Sequence, residues 1–235
     1  MRFDVLTIFP DLFTSFKNEA LIARAQAKKI ISINTHFLRE WGEGPHRKVD
    51  DRPYGGGAGM VMMTAPIAAA IGAVKRKAKS EKLKARTIVF SAKGKLFNQA
   101  TAQRYTKLDQ LIMICGRYEG VDERVAQHLA DEEVSIGEYV LFGGEVPAMV
   151  VMEAVTRLLP GAVGKPASLK EESFSFPSDA TRSTLHATRL EYPHYTRPEI
   201  LKIDGKNRKV PPVLLSGDHK KIEEWRRKKA KIRTP

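Results

Sequence analysis

The sequence has a single cysteine, Cys115, which lies in the apolar run LIMIC. No disulfide can form within the chain, as is typical of proteins of the reducing cytosol. We expect no secretory leader, because Asp4 interrupts the stretch that would be its apolar core. The uncharged run 54–74 is long enough to span a bilayer. However, four of its first six residues are glycine, and Thr64 and Pro66 are typical of a helix start. We therefore expect a cytoplasmic protein with no membrane partner.

Signatures of several common classes of enzyme and metal site are also absent. The chain has no GxxxxGK[ST] motif and no GxGxxG motif between a strand and a helix, which argues against an ATPase and an NAD-dependent dehydrogenase. Its six histidines show neither HExxH nor another ligand spacing, so we expect no structural metal. A requirement for Mg²⁺ is not readable from the sequence.

Acidic residues are scarce in two segments of a chain whose formal net charge is +13. Residues 73–95 hold nine Lys or Arg against one Glu, and residues 201–235 hold twelve against four acids. Each segment has a net charge of +8, so the remainder of the chain sums to −3. Two basic concentrations on a nearly neutral body favour a nucleic-acid partner. The alternative is a pair of solvated helix faces that keep the protein soluble.

Short apolar segments alternate with helical patterns over the first two thirds of the chain. Such alternation is typical of an α/β fold with a mainly parallel sheet and helices on both faces. We predict strands at 2–9, 31–38, 87–92, 111–116 and 133–137, and helices at 10–29, 64–84, 98–108, 121–130 and 146–159.

The patterns divide the chain into three parts. Residues 1–164 hold the alternating strands and helices and form one predicted domain. Residues 165–192 have no sustained period and are rich in Pro, Ser and Thr, which predicts a linker or lid. Residues 193–235 predict a small basic helical domain, whose last helix would be capped by Asp218 or Ser216.

Three glycine-bearing segments follow predicted strands, at 90–94, 115–120 and 135–145. Ligands of open α/β sheets bind at the carboxyl ends of the strands, so these segments could converge on one crevice. Glycines there would let main-chain groups approach a flat ring, and carboxylates would suit a cationic ligand. This combination fits S-adenosylmethionine better than a nucleoside triphosphate, although tight turns with solvated glutamates remain the alternative. The carboxylates are Glu119, Glu138 and Glu145.

Six long motifs follow one another along the chain. They are VDDRPYGGGAGMVM (49–62), MICGRYEGVDER (113–124), SIGEYVLFGGEVPAM (135–149), RLLPGAVG (157–164), PHYTRPE (193–199) and VPPVLLSGDHKKIEEWR (210–226). Together, and in this order, they resemble the bacterial tRNA (guanine-N1)-methyltransferase family, TrmD. The resemblance implies a SPOUT-type methyltransferase domain with a trefoil knot, and a homodimer with its active site at the interface. It also implies methylation of N1 of guanosine 37, the base 3′-adjacent to the anticodon, in tRNAs with a preceding guanosine.

The resemblance assigns roles to residues of this chain. Arg157 would stabilise charge on O6 of guanine, and Glu172 would be the general base. Glu172 stands in an E-S-F triplet where the family has D-S-F, so its replacement of Asp is a departure from the family pattern. The anticodon stem-loop would contact Asp50, Arg52, His194 and Arg197. The cofactor-binding residues would be Phe90, Ser91, Gly116, Glu119, Ser135, Ile136, Gly137, Glu138, Tyr139, Val140, Leu141, Gly143, Gly144 and Pro147.

Two other functions remain alternatives. A non-catalytic RNA-binding protein would explain the positive charge but not three glycine-carboxylate loops after successive strands. A SPOUT-type enzyme acting on ribosomal RNA would explain the loops but not the C-terminal PHYTRPE and LLSGDH motifs.

Overall fold

The computed structural model describes residues 1–164, 173–174, 188–230 and 232–233, with the backbone alone for 77–80, 188–189 and 232–233. The chain divides into two compact units, Met1–Gly164 and Lys165–Pro235. Each unit is described separately below. Most of the predicted linker 165–192, including Glu172, lies outside the described residues.

The first unit is built on a five-stranded parallel sheet, as the alternating pattern predicts. All five predicted strands are confirmed and are ordered β2-β1-β6-β5-β7, while two further strands, β3 and β4, form a separate antiparallel pair. The strands of this unit are β1 (Arg2–Thr7), β2 (Ser32–Phe37), β3 (Asp50–Asp51), β4 (Val61–Met62), β5 (Ala85–Leu96), β6 (Gln110–Ile114) and β7 (Glu132–Ser135).

Strand β5 runs past its predicted end because it pairs with β7 twice. Phe90 and Lys95 are both register partners of Val134, so the residues between them form a bulge. Gly94 closes the bulge: a Cβ atom there would lie 2.6 Å from the main-chain nitrogen of Val134. The bulge turns residues 91–94 away from the ladder at the end of the sheet where the candidate site lies.

Helical segments connect the strands, and two of them differ from prediction. The single helix predicted at 10–29 is wrong, because Glu19 is extended and Ala20 has a positive φ of 52°. The helix predicted at 121–130 is one π-helical turn, Val125–Leu129. The remaining helical segments are 3-10 turns at Pro10–Phe13 and Leu38–Trp41, and α1 (Thr14–Asn18), α2 (Ala20–Ala27), α3 (Thr64–Ser80), α4 (Gln99–Tyr105) and α5 (Glu145–Thr156).

The sheet separates two apolar cores because successive strand side chains point to opposite faces. In β1, Val5 belongs to one core and Leu6 to the other. Helices α2, α4 and α5 pack in the first core, and α3 packs in the second with the π-helical turn. This arrangement confirms a parallel sheet covered on both faces.

Glu132 ties strand β7 to its neighbours through a group of charged side chains. Both oxygens of Glu132 accept hydrogen bonds from Arg104, at 2.7 and 2.8 Å, and Arg86 also donates to the carboxylate. Burial raises the pKa of Glu132, but the hydrogen bonds from Arg104 and Arg86 outweigh burial and lower the pKa to about 2. The Tyr105 hydroxyl donates to the same carboxylate at 3.1 Å.

We predict that Glu132→Gln lowers the free energy of unfolding by about 1–3 kcal/mol at pH 7, since charge-assisted hydrogen bonds are lost. Because folding lowers the pKa of Glu132 from its usual 4.5, its contribution is full above pH 4.5 and falls as the pH approaches 2. Urea unfolding at pH 7 and pH 3 should show that the difference in free energy of unfolding between wild type and variant is smaller at pH 3. Glu19→Gln, at an exposed carboxylate, is the control, and a gap independent of pH would contradict the assignment.

The second unit contains a β-hairpin that the predicted helical domain does not include. Strands β9 (Ile200–Ile203) and β10 (Lys206–Lys209) pair antiparallel. Their two-residue connection, Asp204-Gly205, has positive φ at both positions, 51° and 73°, as a type I′ turn requires. An Asp-Gly pair between two such segments is a hairpin signal, so the sequence carried the information.

The rest of the second unit is partly helical. Strands β8 (Thr188–Arg189) and β11 (Ile232–Arg233) pair antiparallel, and a 3-10 turn covers Pro212–Leu215. Helix α6 (His219–Lys229) follows, and the Asp218 side chain caps it by accepting a 3.2 Å hydrogen bond from the main-chain N–H of Lys221. Of the two predicted caps, Asp218 is therefore confirmed.

Candidate functional site

A cavity of about 510 Å³ lies at the carboxyl ends of β5, β6 and β7. The three glycine-bearing segments that follow these strands all line it, so the structure brings together the loops that the sequence places after separate strands. Thirteen of the fourteen residues assigned to cofactor binding take part, and Glu138 is the one that does not. The thirteen are Phe90, Ser91, Gly116, Glu119, Ser135, Ile136, Gly137, Tyr139, Val140, Leu141, Gly143, Gly144 and Pro147.

Main-chain contacts between glycines hold two of these loops together. The N–H of Gly144 donates a 2.9 Å hydrogen bond to the carbonyl oxygen of Gly116. A Cβ atom on Gly144 would lie 2.7 Å from Cα of Cys115, so no other residue fits without moving the main chain. The start of α5 is therefore fixed directly against the end of β6.

The loop after β7 folds back on itself. The Ser135 hydroxyl donates to the carbonyl oxygen of Gly137 at 3.0 Å, and the Tyr139 hydroxyl donates to that of Ile136 at 3.1 Å. The Tyr139 ring lies over Gly137, where a Cβ atom would be 2.2 Å from the ring. Beyond it, Val140 and Phe142 are almost fully exposed, at 89% and 94%.

Glu145 does not face the cavity, which corrects the expectation that it could bind a cationic ligand. It lies in the first turn of α5 and is 1% exposed. Its carboxylate accepts hydrogen bonds from the Thr7 hydroxyl at 2.7 Å and from Nε of Arg117 at 2.8 Å. The Arg117 guanidinium also lies 4.7 Å from the centre of the Phe9 ring. Arg117 and Glu145 are 28 positions apart, and no helical or strand periodicity links residues at that distance. The sequence therefore did not predict this ion pair.

Glu119 lines the cavity and packs against the glycine loop between β3 and β4. A Cβ atom on Gly59, whose φ is +84°, would lie 2.4 Å from the carboxylate of Glu119. The N–H of Glu119 donates to the carbonyl oxygen of Met60 at 3.0 Å. Asp50 in β3 and the exposed Arg52 belong to the same loop region, although neither is among the described residues that line the cavity.

Besides Arg117, three charged residues that line the cavity were not singled out in the sequence. They are Lys93, in the bulge of β5, together with Glu123 and Glu133. Nζ of Lys93 lies 2.6 Å from a carboxylate oxygen of Glu123. This hydrogen bond and the charge of Glu133 raise the pKa of Lys93. Lys93 directly follows the predicted strand 87–92, and this position in the sequence was the signal that could have identified it.

Arg157 follows the last residue of α5 and is exposed. It is not among the described residues that line the cavity. At 100° per residue, it shares one face of the helix with Val146 and Val150, which are 56% and 41% exposed. Phe142, which lines the cavity and precedes the helix, forms an exposed apolar stripe with Val146 and Val150. Arg157 lies farther along the same helix face, beyond the exposed Glu153.

The other predicted tRNA contacts belong to the second unit. His194 is exposed, with Nε2 3.6 Å from a carboxylate oxygen of Glu191 and its ring 4.7 Å from that of Tyr192. Arg197 is also exposed. The residues described by the structure include no group of three or more His, Cys, Asp or Glu side chains that could hold a metal ion. Among the same residues, no helix is long and apolar enough to cross a membrane.

Comparison with known proteins identifies the family. The family model described as tRNA (Guanine-1)-methyltransferase TrmD matches residues 1–235. A tRNA (guanine-N(1)-)-methyltransferase of Heliobacterium modesticaldum is 48% identical, over all of this chain and 82% of its own length. Proteins of the same name from Prochlorococcus marinus and Listeria monocytogenes are 47% and 44% identical. They align with 98% and 100% of this chain, and with 86% and 89% of their own lengths. The resemblance of the six motifs is thereby confirmed, and the chain belongs to the TrmD family of tRNA (guanine-1)-methyltransferases.

Proposed function

We propose that this protein transfers a methyl group from S-adenosylmethionine to N1 of guanosine 37 in tRNAs with a preceding guanosine. The observation that carries the proposal is the single cavity formed by the turns after β5, β6 and β7. It occurs in a chain of the TrmD family, whose relatives are named for methylation of guanine N1 in tRNA. A cytoplasmic location follows from the same proposal, because tRNA is the substrate.

The residues at the cavity fit S-adenosylmethionine. A volume of about 510 Å³ lies within the range of about 300–1,000 Å³ of small-molecule sites. Phe90, Ile136 and Leu141 offer apolar surface for adenine, and Gly143 and Gly144 also belong to the lining. The charged side chains of Lys93 and Glu119 suit the charged amino-acid end. When bound, the cofactor supplies an electrophilic methyl group on a sulfonium.

The chain's own residues then deal with the proton and charge of guanine. N1 carries a proton and is a poor nucleophile until the proton leaves. Glu172 would accept that proton as the general base. The guanidinium of Arg157 would donate hydrogen bonds to O6, where negative charge develops as N1 is deprotonated. The glycine loops would hold the methyl donor in line with N1.

A second copy of the chain is the proposed cover for the exposed apolar stripe. Phe142, Val146 and Val150 expose 94%, 56% and 41% of their surface beside the cavity. Exposed apolar patches of this kind mark interaction sites. Arg157 lies farther along the same face of helix α5. A homodimer built on this face would therefore place Arg157 and the cavity at the interface. This accounts for a catalytic arginine that lies outside the cavity of one protomer.

The proposal includes the trefoil knot of the family. A knot would require the chain after β7 to pass through a loop formed earlier. In support, Gly94 lies against the main chain of residues 133–134, and Gly144 lies against Cys115 and Gly116. These contacts join the segments that such a knot would bring together.

The second unit would bind the anticodon stem-loop. Helix α6 ends in four consecutive cations, Arg226 to Lys229, and the hairpin adds exposed Lys202 and Arg208. Such side chains bind phosphates and give affinity that falls with salt. His194 and Arg197, with Asp50 and Arg52 of the first unit, are the proposed individual contacts. Guanosine 37 lies in a loop, so leaving its stack costs less than it would in a duplex.

The test is methylation of anticodon stem-loop RNAs with labelled S-adenosylmethionine. We expect label in an RNA with guanosine at positions 36 and 37, recovered as 1-methylguanosine after digestion. An RNA with adenosine at position 37 should remain unlabelled, because its N1 carries no proton for the base and its exocyclic amine replaces O6. A ribosomal RNA fragment with exposed guanosines serves as the control for the second alternative.

Two results would overturn the proposal. Label in the ribosomal fragment but not in the stem-loop would favour a ribosomal RNA enzyme. Tight tRNA binding without calorimetric binding of S-adenosylmethionine would favour a non-catalytic RNA-binding protein.

A further inference from the structure

Lys93 and Glu123 form an ion pair on the wall of the cavity, and its arrangement suggests a function. Lys93 comes from the bulge of β5, and Glu123 precedes the π-helical turn. Their charged atoms are 2.6 Å apart. Both side chains are more than half exposed, at 62% and 54%, so the pair is accessible to solvent.

The backbone holds Lys93 in a defined place. The double pairing of Val134 with Phe90 and Lys95 sets both ends of the bulge. The N–H of Lys93 donates a 3.3 Å hydrogen bond to the Ser91 hydroxyl, and Gly94 packs against the main chain of β7. The main chain of Lys93 is thus fixed, whereas its side chain, which carries the ammonium group, is flexible.

Of the cations that line the cavity, Lys93 is the one accessible to a ligand. Among the described lining residues the cations are Lys93 and Arg117. Arg117 is bound to Glu145, which is 1% exposed, and its guanidinium lies over the Phe9 ring. Arg117 is therefore already paired in a buried setting, whereas the partner of Lys93 is exposed to solvent.

We propose that Lys93 binds the carboxylate at the amino-acid end of the methyl donor, and that Glu123 then binds its ammonium group. This inference rests on the proposed function and assigns the residues that recognise the donor's amino-acid end. That end carries one negative and one positive group, and the Lys93–Glu123 pair offers the complementary charge for each. Glu119 and Glu133 also line the cavity, and the charge of Glu133 acts on Lys93.

Exchange of partners is energetically easy for this pair. Exposed ion pairs contribute little to stability, because solvent screens them and two long side chains lose freedom. Binding would replace one exposed ion pair with two charge-assisted contacts in a site partly closed by the ligand. The ion pair also keeps Lys93 near its binding position before the ligand arrives, which lowers the entropic cost of binding.

The proposal is tested with a pair of ligands that differ only in the carboxylate, S-adenosylmethionine and its decarboxylated form. Calorimetry should show wild type preferring S-adenosylmethionine, and Lys93→Met lowering its affinity about tenfold while leaving that of the decarboxylated ligand unchanged. Lys95→Met is the matched control, since Lys95 is exposed in the same strand and does not line the cavity. It should alter neither affinity. Circular dichroism confirms that each variant is folded.

Each other result overturns the inference in an identifiable way. Equal losses for both ligands would mean that Lys93 supports the bulge rather than the carboxylate. An unchanged preference in Lys93→Met would place the carboxylate elsewhere. If wild type bound neither ligand, the proposed cofactor site itself would be wrong.

Discussion

Replacing Glu172 with glutamine is expected to slow methyl transfer by about 10²–10⁴-fold, the usual contribution of a general base. Glutamine has a similar shape but cannot accept the proton from N1. In sequence, Glu172 lies outside the three segments that supply the proposed cofactor contacts. We therefore expect the affinity for S-adenosylmethionine to stay within about twofold of wild type. Single-turnover assays on the anticodon stem-loop measure the rate of the chemical step, and calorimetry measures the affinity for the cofactor.

Two variants make this test specific. Glu171→Gln removes the neighbouring carboxylate and should leave the rate nearly unchanged. Glu172→Asp restores the D-S-F triplet of the family and should keep most of the activity. A loss under about fivefold would move the base elsewhere, because it is far below the usual contribution.

Replacing Arg157 with alanine should lower the rate of the same step by about 10²–10³-fold, as expected for loss of a donor to a developing oxyanion. Single-turnover rates, with enough enzyme to saturate the RNA, separate this effect from weaker binding. Arg157→Lys should recover only part of the rate, since a single ammonium does not reproduce the planar guanidinium.

A helix-capping role for Arg157 makes a different prediction. A cation at a helix C-terminus stabilises it by about 0.3–1 kcal/mol, so capping alone would change the melting temperature slightly and the rate very little. Arg24→Ala is the matched control, because Arg24 is an exposed arginine in the last turn of α2. Sedimentation must show that Arg157→Ala keeps the oligomeric state of wild type. A rate within fivefold of wild type, in an unchanged oligomer, would exclude the catalytic role.

Much of the first unit was predictable because its strands are short, apolar and separated by helical patterns. Strands buried on both faces, such as β6 with Leu111 and Ile112 in opposite cores, appear in sequence as continuous apolar runs. The grouping of the glycine loops followed from the same prediction, since carboxyl ends of parallel strands meet at one edge. The binding roles of the individual residues stay predictions.

What could not be predicted depends on contacts between distant residues. Glu145 looked like a ligand for a cation, yet it pairs with Arg117 and Thr7, and no periodicity links these three positions. The break at Ala20 is similar: its positive φ is unexpected for a good helix former in a helical pattern. The Asp204-Gly205 hairpin is different, because its turn signal was present and was overlooked.

The all-parallel order of the sheet has a consequence for how the protein is made. Parallel neighbours cannot be joined by a tight turn. Two neighbouring strands of this sheet can therefore pair only after the long segment between them has been synthesised. Strand β7 is the last strand of this sheet to be synthesised, lies at its edge and leads directly into the loop that completes the cavity. The basic segment 73–95 is thus synthesised well before the loop after β7, and the binding pocket is among the last features of the first unit to form.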